Sequence, residues 1–83
     1  MLSRPKKRSL TLKRHKTSVT LEEEFWQSFQ EIASEQKKGI NELASEIDQE
    51  RGQKCGLASA IRLYILNHFK FKKSNLLQKE NSN

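Results

Sequence analysis

The residue types able to do covalent or metal chemistry are few in this chain and poorly spaced for it. Cysteine occurs once, at Cys55, and histidine twice, at His15 and His68. A lone thiol forms no internal disulfide, and these three residues lack zinc-ligand spacing. Cys55 is therefore expected to be structural or incidental. Glu22, Glu23 and Glu24 stand side by side, but adjacent carboxylates without a pocket make no acid–base pair. At the start of a helix they would instead complement the helix dipole. The sequence carries no nucleophile–base pair and no phosphate-binding glycine loop. It points away from an enzyme and implies no cofactor and no metal.

What remains is a pattern of Lys, Ser and Thr. In KTSVTL, residues 16–21, Lys16, Ser18 and Thr20 alternate with Thr17, Val19 and Leu21. A strand sends these two sets to opposite faces. Amines and hydroxyls at two-residue spacing suit base edges in the major groove, where Lys reaches guanine acceptors and hydroxyls bond to several bases. Lys16, Ser18 and Thr20 are accordingly candidate base contacts. Lys6, Lys7, Arg8, Arg14 and His15 cluster around them and are candidate contacts to the phosphate backbone.

Charge follows the same plan. The net charge is +6, but residues 1–20 hold seven Lys or Arg and no acid, and residues 21–50 hold nine acids against two Lys. Residues 51–83 are basic again, with seven Lys or Arg and one acid. A basic end beside an acidic middle attracts a polyanion to one face and repels it from another. No apolar run approaches the roughly 18 to 20 residues that span a bilayer. No signal-peptide core follows the basic start. A cytoplasmic chain, nucleoid-associated when bound to DNA and with no membrane partner, is expected.

The elements that must position these residues are few. Residues 1–12 read as a basic arm and 13–70 as one domain, with 71–83 as a polar tail. Leu10 and Leu12 fall on even positions, Val19 and Leu21 on odd ones, so an unbroken strand would put the pairs on opposite faces. A bulge, a bend or a change from arm to strand is required near Lys13–Lys16. A tight hairpin is disfavoured, because no Gly, Asn or Asp is there for a primed turn. Residues 16–21 are therefore taken as the strand, the role of Ser9–Leu12 is left open, and no internal repeat is expected.

Phe25, Phe29, Ile32 and Ala33 then follow helical spacing, with Trp26 packing at the edge, giving a helix over 22–38. Thr20 and Glu23 fit a capping box, and Gly39 a C-cap. Asn41 suits the N-cap of a second helix, 41–50, whose apolar face is Ile40, Leu43, Ala44 and Ile47. Gly52 and Gly56 break the chain before a third helix, 57–70, in which Ile61, Tyr64, Ile65 and Phe69 belong to an apolar surface covering more than one side. Leu76 and Leu77 could extend it.

A chain this short buries a modest core alone. A lone strand also leaves its N–H and C=O groups unpaired. Both needs are met if two copies pair their strands antiparallel about a two-fold axis. Val19, Leu21, Phe25, Phe29, Ile32, Leu43, Ile47, Ile61, Tyr64, Ile65 and Phe69 would then form the core of a homodimer.

The run KTSVTLEEEFW, followed by a helix, a GIN turn and a second helix, resembles the ribbon-helix-helix superfamily of the Arc and methionine repressors. It is most similar to the short stand-alone bacterial proteins of that kind. The likeness covers about Lys13 to Lys70. It implies a mostly α fold with one N-terminal β-strand, paired across an intertwined homodimer, here with an additional C-terminal helix. It also implies a transcriptional regulator that reads the major groove of double-stranded DNA with its ribbon. Lys16, Ser18 and Thr20 match the base-reading positions, and Val19 and Leu21 the inward ones. Asn41, with the backbone N–H groups of Glu42 and Leu43, matches the helix start that grips a phosphate. An antitoxin-like module, with a protein as main partner and DNA binding secondary, is the alternative. The short, weakly apolar tail argues against it.

Overall fold

The computed structural model describes residues 4–13, 15–51 and 56–81. The expectations for Arg14, Cys55 and the break at Gly52 lie outside the described residues. Two strands come first, β1 (Lys6–Leu12) and β2 (His15–Leu21), then three helices, α1 (Glu23–Glu35), α2 (Ile40–Arg51) and α3 (Leu57–Asn81).

The ribbon followed by helices stands, but its composition differs from the expectation. β1 and β2 pair antiparallel within one chain, from Lys6 opposite Leu21 to Leu12 opposite His15. The segment 6–12, expected as the end of an arm, is the strand that β2 was expected to find in another copy. The parity slip explains why. Partners in this ladder sum to 27, an odd number, so even positions of β1 share a face with odd positions of β2. Leu10, Leu12, Val19 and Leu21 all reach the same side, each at most 5% exposed. Burying one such side chain is worth about 1.5–3 kcal/mol. Burial of four such side chains outweighs the local turn preference forgone where no Gly, Asn or Asp is present.

The apolar face of the hairpin lies on the helices. Phe29, Ile32 and Ala33 of α1, Leu43, Ala44 and Ile47 of α2, and Ala60, Ile61 and Ile65 of α3 close the core. One chain thus buries Val19, Leu21, Phe29, Ile32, Leu43, Ile47, Ile61 and Ile65, the greater part of what was expected to need a second copy. Phe25 and Tyr64 pack half-buried against this core, whereas Phe69 is 44% exposed. The added strand supplies what the sequence reading lacked: a sheet face contributed by the same molecule.

Helix limits also shift. Glu22, with extended backbone and no side-chain cap bond, precedes α1, so Thr20 and Glu23 form no capping box. α1 ends at Glu35, three residues early, in a reversed turn. Lys37 takes the left-handed conformation with φ 59°, its N–H donates to Ser34 O, and the Lys38 N–H donates to Ala33 O. This is the pattern usually completed by glycine, and Gly39 stands two places too late to fill it. α2 begins at Ile40, and the Leu43 N–H donates back to Gly39 O, so Asn41 sits inside the first turn rather than capping it. α3 runs to Asn81, well beyond the expected end at 70.

Candidate nucleic-acid interface

The ladder fixes which side chains face away from the helices. The outward pairs are Lys7 with Thr20, Ser9 with Ser18, and Thr11 with Lys16. All six residues are exposed. Four hydroxyls and two amines therefore share one face, and no acid lies on it. Lys16, Ser18 and Thr20 are brought together on this face. Thr20, freed from capping, turns its side chain outward while its carbonyl oxygen accepts a bond from Arg62 Nη2 at 3.2 Å. Ser9, Thr11 and Lys7 share this face with them, a placement that sequence reasoning missed. Their signal was the same alternation, one strand earlier, hidden by the assumption of an arm.

The basic cluster divides by parity. Lys7 is on the outer face, whereas Lys6 and Arg8 are on the inner side. Arg8 is held there by its neighbours. Its guanidinium donates to Glu23 Oε1 and lies 5.3 Å from the centre of the Trp26 ring, a cation–π contact. Arg8 is thus a clamp between β1 and α1, which corrects its expected role as a backbone contact. Lys6 is exposed beside Glu23, which it helps to keep ionised. His15 is exposed at the closed end of the ribbon, where with Leu12 and Lys13 it lines a shallow groove against Ser45, Asp48 and Gln49 of α2.

Each edge of the ribbon is tied to a helix. At the β1 edge the Thr11 N–H donates to Asn41 Oδ1, 2.9 Å away, which fixes the start of α2 beside the outer face. Asn41 is exposed there with Glu42, but its side-chain oxygen is committed to the strand. At the β2 edge Arg62 bridges Thr20 O and Glu22 Oε1, at 3.2 and 3.0 Å, and stacks on Phe25. The Glu22 carboxyl is held below the usual carboxylate range by a bond from its own backbone amide and then by Arg62. Glu23 is lowered by its bond from Arg8 and then by Gln27. On the helical side Lys38 donates to Glu46 Oε1 at 2.7 Å, which raises its pKa. The anchoring charges are paired, and the two outward lysines have no carboxylate beside them on their face.

A polar two-stranded ribbon, backed by three helices and tied to α2 at its first turn, is the arrangement that decides the family. Residues 5–69 match the family described as ribbon-helix-helix domain. The chain belongs to that family. No curated protein and no solved structure matches it. The matched span begins one residue before β1 and ends within α3, so this ribbon-helix-helix domain includes both strands of the hairpin. Among the described residues no helix is long and apolar enough to cross a membrane.

Proposed function

We propose that this ribbon-helix-helix protein binds double-stranded DNA sequence-specifically in the cytoplasm and regulates transcription, reading the major groove with its ribbon. One observation carries the reading: an exposed outer ribbon face of two lysines and four hydroxyls, behind which Leu10, Leu12, Val19 and Leu21 of the opposite face are buried. A two-stranded ribbon fits a major groove about 12 Å wide. In this reading Lys16, Ser18 and Thr20 contact bases, joined by Lys7, Ser9 and Thr11. Lys6, Lys13 and His15 at the rim contact phosphates. The Glu42 backbone N–H in the first turn of α2 takes one more phosphate, because the first amides of a helix have no intrahelical partner.

A second copy of the chain is the partner we assign to the other side of the molecule. Leu63, Leu66 and Phe69 of α3 are 44–53% exposed and line an apolar trough with Phe25. One acid, Glu24, and one base, Arg62, also line it. The apolar side chains of this trough suit contact with their own copies about a two-fold axis.

The test is selection of bound sequences from random duplex DNA, followed by affinity measurements across salt. Affinity is expected to fall linearly on a logarithmic plot, with slope about −0.9 per phosphate neutralised. Lys16→Ala combined with Ser18→Ala is expected to lower affinity for the selected sequence about ten-fold or more while random DNA is held nearly as before. Equal losses on both would show that the ribbon does not read bases.

A further inference from the structure

The hairpin reveals a repeat, against the expectation of none. Residues 7–12 are KRSLTL and residues 16–21 are KTSVTL, identical at Lys, Ser, Thr and the final Leu and offset by nine. The ladder turns this repeat into symmetry. Moving each residue to its repeat mate carries the Lys7–Thr20 pair onto Lys16–Thr11, and the Ser9–Ser18 pair onto itself. A pseudo-two-fold axis therefore passes between Ser9 and Ser18, normal to the ribbon. The inner face obeys the same operation, with Leu10 matching Val19 and Leu12 matching Leu21, all four buried. The pair that departs most from the repeat is Arg8 against Thr17, which differ in charge and size, and Arg8 is the residue drawn to Glu23 and Trp26.

We infer that one chain alone presents the two-fold reading face that would otherwise take two strands from two copies, and that it reads an inverted DNA element. This rests on the proposal that the ribbon binds DNA. The duplex has a dyad in its own backbone, so a reader with two equivalent halves selects a palindrome. Lys7 and Lys16 lie on opposite strands at opposite ends of the face. The whole face between them extends four residues along each strand, about 13 Å at 3.3–3.4 Å per residue. That length covers about four base pairs at roughly 3.4 Å each. The recognised element is thus a short inverted sequence of about four to six base pairs, with each lysine assigned to the base pair at its own end.

The experiment uses the full chain, the duplex recovered by selection, and two probes with the base pair at one end or at both ends replaced. Lys7→Ala and Lys16→Ala alter exposed side chains, so both are expected to fold, which circular dichroism checks. Each variant is expected to lose about ten-fold or more on the intact element. Because the element and the face share a dyad, the two variants should behave alike: each is indifferent to replacement at one end, where the missing amine is placed, and loses affinity when both ends are replaced, whereas the parent loses at each step. If Lys16→Ala is indifferent to both ends while Lys7→Ala binds as the parent does, two β2 strands from two copies form the reader. That result, or selection of an asymmetric element, overturns the inference and leaves DNA binding intact. Failure to select any sequence removes the DNA-binding proposal and the inference with it.

Discussion

Lys37 holds a conformation that suits another residue. Its φ of 59° belongs to the left-handed region, where a Cβ crowds the following carbonyl at a cost of about 1–2 kcal/mol. The turn it makes lets α2 start at Ile40 and brings Asn41 to the Thr11 N–H. Lys37→Gly is therefore expected to stabilise the fold by about 1 kcal/mol, read as a higher midpoint in urea. Gly39→Ala is the control, because a Cβ at that position meets no atom within 4 Å. A destabilised Lys37→Gly would mean that the lysine side chain does something the backbone does not need. The same scale shows what a sequence conveys about single residues. The exposure of Lys16, Ser18 and Thr20 followed from alternation alone. The inward turn of Arg8 did not, because a basic residue in a basic cluster gives no hint of its face until its strand and partner are known.

At the scale of elements, the parity slip between Leu10–Leu12 and Val19–Leu21 was legible, and it was the hairpin itself. It was read as a defect in one strand because the turn lacks its usual residues. Turn chemistry is a local preference, and the apolar faces of two strands outweigh it. The hairpin is in turn held to the helices by paired charges, with consequences for pH. The carboxyls of Glu22 and Glu23 are both lowered in the folded chain. A lowered carboxyl stabilises the fold above its unfolded value, and that contribution is lost as pH falls through the folded value. Melting temperature is thus expected to drop in acid, between about pH 5 and pH 2, as Arg8 and Arg62 lose their partners. The variant Glu22→Gln with Glu23→Gln is expected to melt lower at neutral pH and to show a flatter acid limb. An unchanged acid limb would assign the drop to other carboxylates. Near neutrality the raised Lys38 and both glutamates keep their charges, so binding of DNA is not tuned by these groups there.

For the whole molecule, the sequence indicated a third helix with more apolar surface than one neighbour covers, and the structure divides that surface in two. Ala60, Ile61 and Ile65 face the chain's own core, whereas Leu63, Leu66 and Phe69 do not. The homodimer expected from an unpaired strand loses that reason, since β2 is paired by β1. It keeps the second reason, an apolar face that water wets at a cost of about 25 cal/mol per Å². A dimer closed through this face would leave each ribbon outward and intact, giving two readers where an exchange of strands would give one. Leu66→Glu combined with Phe69→Glu tests the contact. Both side chains are 44–50% exposed, and exposed substitutions generally change stability by no more than about 0.5 kcal/mol, so the chain should remain folded. Light scattering is expected to show the parent at twice the mass of one chain and the variant at the mass of one. A variant that keeps the doubled mass would place the contact elsewhere, and a parent at single mass would leave the trough without a second copy.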